Sequence, residues 1–192
     1  GGLLISGSVS SFTILLIVFF LFKEAGGLFN TPATEEGYVL AVNEKNDVTK
    51  LSPEKIMDIF DGNISNWKEI NGMDQDILIF RFSDLTNYYS EEELGDEFQY
   101  VPEKISELVA KEPGIIAFFP KQYLLEKGFQ GRVLPEEKIT PGEFFGGTKW
   151  YPTSTPAPIF GLVPLLLGTL LVSIGAIILS LPFGVAVAIY MA

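Results

Sequence analysis

The sequence predicts a helical membrane protein with two visible spans and an α/β domain enclosed between them. Three observations carry this. Every Lys, Arg, Asp and Glu lies between Lys23 and Lys149, so both ends are free of formal charge. Each end holds an apolar run long enough to cross a bilayer. The charged middle alternates β-rich runs with amphipathic ones, as expected for helices packed on a small sheet.

The first run, Leu3 to Phe22 (LLISGSVSSFTILLIVFFLF), is uncharged over about 20 residues, which at about 1.5 Å each matches a hydrocarbon core roughly 30 Å thick. A secretory signal peptide is the rival. It lacks a basic segment before the apolar run, and KEAGG is a weak cleavage site. Residues 1–22 are therefore read as the first transmembrane helix and 23–36 as a linker.

The enclosed α/β domain is assigned to 37–135. YVLAVN (38–43) is a strand, SPEKIMDIFDG a helix, ILIFRF (77–82) a strand, PEKISELVAK (102–111) a helix, GIIAFFP (114–120) a strand, KQYLLEKG a short helix and GRVLP a last short strand. The first of these helices carries its own signals. Ser52 suits the N-cap, Pro53 the first helical position, and Glu54 the positive end of the helix dipole. Gly62 supplies the stop, while Ile56, Ile59 and Phe60 share one apolar face on which Trp67 packs.

Residues 136–158 are rich in Pro, Gly, Thr and Ser and read as a second linker, with Trp150 and Tyr151 where aromatic rings favour a membrane interface. The second span is assigned to 159–192. Pro164 falls in its first turn, where a missing N–H costs nothing; Pro182 with Gly184 predicts a kink or the far end. Thr169, Ser173, Ala176 and Ser180 fall on one helical stripe. It suits either a transport pathway, with Thr169, Ser173 and Ser180 facing it, or ordinary small-residue helix packing, which Gly161, Gly168 and Gly175 also support. The Gly-Gly start and the apolar ending at Tyr190-Met191-Ala192 read as an excised piece of a longer polypeptide.

Composition removes several function classes. A net charge of −11 carried by the middle segment disfavours nucleic acid and anionic surfaces. Zero cysteines and zero histidines remove disulfides, thiolate metal sites and the commonest general base. No G-x-x-x-x-G-K-[ST] loop occurs, so no ATPase is encoded. The chain is read as no enzyme, with no cofactor and no metal.

Two resemblances refine this. TPGEFFGGTKWYPTSTPAPIFGLVPLLLGTLLVSIGAIILSLPFGVAVAIYMA, together with LLISGSVSSFTILLIVFFLFKEAGGLF, resembles the start of the permease subunit of bacterial phosphate ABC transporters, the PstC type. GYVLAVNEKNDVTKLSPEKIMDIFDGNISNWKEINGMDQDILIF and VAKEPGIIAFFP resemble one lobe of periplasmic phosphate-binding proteins. The first resemblance implies an ATP-driven phosphate importer in the cell membrane, with residues 23–158 extracytoplasmic. It also implies three partners: a second permease subunit, an ATP-binding subunit and an extracytoplasmic phosphate-binding protein. Membrane lipid surrounds the spans.

The second resemblance implies an oxyanion loop after the 77–82 strand, lined by small residues whose backbone N–H groups approach the anion. Here that stretch is RFSDLTNYYSEEEL. Arg81, Ser83, Asp84 and Thr86 remain as substrate-binding candidates, but no glycine does, and Leu85, Tyr88 and Tyr89 add bulk. The expected role of the inserted domain is docking or bracing rather than binding; the alternative is a membrane-tethered anion-binding or sensing module.

Overall fold

The computed structural model describes residues 12–20, 23, 26, 27, 29, 32 and 34–191. They fall into two compact units, one running to Ile139 and including Thr153–Pro158, the other formed by Thr140–Pro152 and Ile159 onward.

The first unit is built on a four-stranded sheet. Its strands are β1 (Tyr38–Asn43), β2 (Leu78–Arg81), β3 (Ile115–Pro120) and β4 (Gly131–Val133), in the order β2-β3-β1-β4. β2 runs parallel to β3, while β1 is antiparallel to both β3 and β4. Helix α1 (Pro53–Phe60) and helix α4 (Val101–Lys111) cover it, with two single-turn helices, α2 (Leu85–Tyr88) and α3 (Glu91–Leu94), between them.

Both faces of the sheet are buried, which explains why its central strands are continuous apolar runs rather than alternating ones. Val39 and Ala41 of β1 join Ile115, Ala117 and Phe119 of β3 under Ile105, Leu108 and Val109 of α4. The intervening residues Leu40, Val42, Ile116 and Phe118 pack with Ile56, Ile59, Phe60 and Trp67. The period of two sends alternate residues to two separate cores.

Most features read from residues 50–70 stand, although Ser52, at the N-cap position of α1, makes no capping hydrogen bond with its side chain. Pro53 opens α1, Glu54 lies in its first turn, and Gly62 adopts a left-handed φ of 77° just past its end. Trp67 is fully buried, and its Nε1 donates to Gly114 O at 2.8 Å. Gly114 O also accepts from Leu78 N at 3.0 Å, so one carbonyl ties the tryptophan to the start of β2.

Three expectations are corrected. KQYLLEKG is not a helix: only Lys121–Tyr123 makes a 3₁₀ turn, after which Leu124 is extended. A segment this short cannot nucleate a helix alone, and Tyr123 gains more by stacking on Phe82, ring centroids 4.8 Å apart, with Tyr123 and Leu124 both against the core. RFSDLTNYYSEEEL is not an open loop but a series of turns, 3₁₀ at Phe82–Asp84, then α2 and α3. Of the two spans, the described residues hold one helix of spanning length, Val163–Met191. Residues 12–20 are helical and exposed, too short alone to cross a bilayer, and the remainder of the expected Leu3–Phe22 span lies outside the described residues.

In the second unit, helix α5 (Pro141–Gly146) precedes a two-stranded ribbon of β5 (Trp150–Tyr151) and β6 (Ile159–Phe160), then helix α6 (Val163–Met191). The apolar helix thus begins after 159, because Ile159 and Phe160 pair with β5 instead. Pro164 lies in its first turn, and Pro182 does not end it, since the helix runs on to Met191. Within 136–158, read as linker, α5 and β5 are ordered, and Ala157 is fully buried in the first unit's core.

Candidate functional site

In open α/β sheets ligands bind beyond the carboxyl ends of the strands. The first unit carries an open cleft of about 330 Å³ there, lined by Glu35, Tyr38, Arg81, Phe82, Ser83, Phe118, Thr155 and Pro156. Arg81 ends β2 and is paired with Phe118 of β3, which brings these two walls together. Tyr38, opposite Pro120 at the start of β1, stacks on Phe118 with centroids 4.7 Å apart.

Arg81 is already engaged. Its Nη2 donates to Phe60 O at 2.8 Å, and its guanidinium lies 5.0 Å from the Phe60 ring centroid. Phe60 O is one of the carbonyls that the end of α1 leaves unpaired, so the cation caps the negative end of that helix. The residue that resembles an anion ligand thus serves the helix behind it.

The donors nearest Arg81 are engaged as well. Arg81 N donates to Asp84 Oδ2 at 3.2 Å, and Ser83 Oγ donates to Asp84 Oδ1 at 3.3 Å. Leu85 N closes the 3₁₀ turn on Phe82 O, and Tyr89 N donates to Leu85 O. The Asp84 carboxylate therefore accepts from both Arg81 N and Ser83 Oγ. Leu85 is buried and anchors α2 in the core. Glu35 contributes a carboxylate to the cleft wall.

Of the four substrate-binding candidates, the structure brings Arg81 and Ser83 to the cleft. Asp84 faces them as an acceptor, and Thr86 is exposed on α2 away from the lining. The aromatic wall of Tyr38 and Phe118, the carboxylate of Glu35 and the Thr155-Pro156 edge were not foreseen. Glu35 lies in a segment read as linker, and Thr155 and Pro156 come from another linker more than a hundred residues along the chain. No local pattern announces that they meet. The tie is a tertiary hydrogen bond, Glu35 N to Pro156 O at 2.9 Å.

The pathway-facing candidates lie on α6. Thr169 Oγ1 donates to Leu165 O and Ser173 Oγ to Thr169 O, each at 2.8 Å, and Ser180 Oγ donates to Ile177 O at 3.2 Å. Each hydroxyl thus donates to a carbonyl of its own helix. Among the described residues no group of three or more Asp or Glu side chains is arranged to hold a metal ion.

The two-face-buried sheet with a cleft at its strand ends is an α/β fold of the periplasmic-binding-protein-like class. The family model of the PBP superfamily domain matches residues 19–151, and the chain belongs to that family. Among solved structures, it is similar to an ABC-type phosphate transport receptor from Vibrio cholerae, at 22% identity over 58% of this chain and 50% of that one, TM-score 0.39. It is also similar to a putative phosphate ABC transporter substrate-binding protein with bound phosphate from Clostridium perfringens, at 23% identity over 54% and 46%, TM-score 0.37. A third is PstS from Borrelia burgdorferi, at 21% over 58% and 51%, TM-score 0.40. The chain spans about half the length of each.

Proposed function

We propose that this chain is the N-terminal portion of a phosphate ABC permease of the PstC type, its PBP superfamily domain inserted between two spans as a docking or bracing module. One observation supports this above others: a solute-binding-type domain is followed in the same chain by a 29-residue apolar helix without a charge. A freely diffusing receptor has no use for such a helix.

In this reading the spans exchange outward and inward states as a separate ATP-binding subunit cycles, alongside a second permease subunit. A separate extracytoplasmic protein captures phosphate. The inserted domain does not, because Arg81 caps α1, Asp84 accepts from the nearby donors, and Glu35 and Asp84 repel an anion.

Calorimetry of the chain in nanodiscs with inorganic phosphate tests the domain's role. No binding is expected at millimolar phosphate. Micromolar affinity would favour the alternative, a membrane-tethered anion-binding module.

A further inference from the structure

The second unit fixes a short helix against the start of the long one. Leu162 N donates to Phe144 O at 2.8 Å and Val163 N to Gly147 O at 3.3 Å. These N–H groups are among those a helix start leaves unpaired, so the end of α5 caps the beginning of α6. The crossing is tight: a Cβ on Gly161 would lie 2.4 Å from Gly147 O, and one on Gly147 would lie 2.7 Å from Gly161 Cα. Trp150 meets Phe160 edge to face across the ribbon, centroids 5.6 Å apart.

The most apolar 18-residue stretch of α6 has a mean hydropathy of 2.4, and none of it is buried. If it spans, its first turn lies at the hydrocarbon boundary, and α5 and the ribbon lie there with it. At that level Phe145 is 61% exposed and Tyr151 58% exposed. The one charge on α5, Glu143, is folded back: its Oε2 accepts from Thr140 N at 3.0 Å and Thr140 Oγ1 at 2.8 Å.

We infer that α5 and the β5–β6 ribbon form an interfacial anchor, with Phe145 inserted at the boundary between lipid headgroups and acyl chains. The inference rests on the reading of α6 as a span. Lipid is the occupant because the exposed rings continue the surface of a helix whose own surroundings are hydrocarbon, and aromatic rings favour that depth. The anchor sets the depth at which α6 starts.

The chain has no cysteine, so single labels are clean. Gly146 has nothing within 4 Å of an added Cβ, and Gly146→Cys leaves Phe145 in place. The full chain, carrying an environment-sensitive fluorophore at Gly146→Cys or Leu171→Cys, is placed in phosphatidylcholine–phosphatidylglycerol vesicles and quenched with aqueous iodide or with lipids brominated at shallow or deep positions. We expect the label at 171 to be quenched by deep bromines. The label at 146 should be quenched by shallow bromines, with iodide quenching at most half that of the free label, and Phe145→Ser should raise its iodide quenching at least twofold. Full iodide quenching at 146, or no response to Phe145→Ser, with 171 still deep overturns the anchor alone. An aqueous label at 171 overturns the span reading and the anchor with it.

Discussion

Arg81→Ala separates the two roles that this position suggests. The side chain makes one charge-assisted hydrogen bond, Nη2 to Phe60 O at 2.8 Å, and one cation–π contact at 5.0 Å. A charged hydrogen bond is worth about 1.5–3 kcal/mol when well buried and an exposed cation–π contact about 0.5–1 kcal/mol. Arg81 is exposed, so solvent reduces both, and the expected loss is about 1–2 kcal/mol. For a domain of this size that lowers Tm by about 4–8 °C. Thermal unfolding of the chain, followed by near-UV circular dichroism, reads this change, and calorimetry with phosphate is run in parallel. A structural Arg81 predicts a lower Tm with phosphate binding absent before and after. An unchanged Tm with phosphate binding present in the parent and lost in the variant would refute the capping assignment.

Gly114→Ala should be worse tolerated. Its Cβ would lie 2.0 Å from Asp76 O, a backbone atom, so β2 must shift and both bonds to Gly114 O weaken, at a cost of about 3 kcal/mol or more by urea titration. Asn43→Ala removes the Nδ2 bonds to Val109 O (2.7 Å) and Ala110 O (2.9 Å) that close the end of α4. The expected loss is about 2 kcal/mol, with faster amide exchange in the last turn of that helix. On the acid side, backbone N–H groups of Ser65 and Asn66 hold Glu69 below its ordinary 4.5, and Ser90 does the same for Glu93. Lys68, by hydrogen bond and charge, holds Asp74 below 3.8. These depressed values contribute stability above the unfolded pKa that is lost as pH falls through the folded one. Tm should therefore decline on acidification below about pH 4.5, and less steeply in Glu69→Gln. Lys68, raised by Asp74, and Tyr89, raised chiefly by burial, behave oppositely: their contribution is present below 10.5 and 10.0 and lost as pH rises through the folded values. A Tm plateau between these windows is the expected profile.

What the sequence by itself determined is the set of features that local chemistry controls. Charge confined between Lys23 and Lys149, the apolar strands read at 38–43 and 114–120, and the Pro53 and Gly62 signals around α1 each act within a few residues, so their pattern is legible. Burial of Trp67 was legible for the same reason, but not its acceptor, a carbonyl 47 residues away. KQYLLEKG and the segment after Arg81 were misread because their conformation answers to the core they pack on, not to their own periodicity. The candidate site shows the division most sharply. Resemblance to a periplasmic phosphate-binding lobe pointed to Arg81, Ser83, Asp84 and Thr86; only the tertiary structure decided that Arg81 turns to Phe60 O, 21 residues away. A donor's target depends on which acceptor lies within about 3 Å, and chain folding brings those acceptors from residues that no local pattern connects.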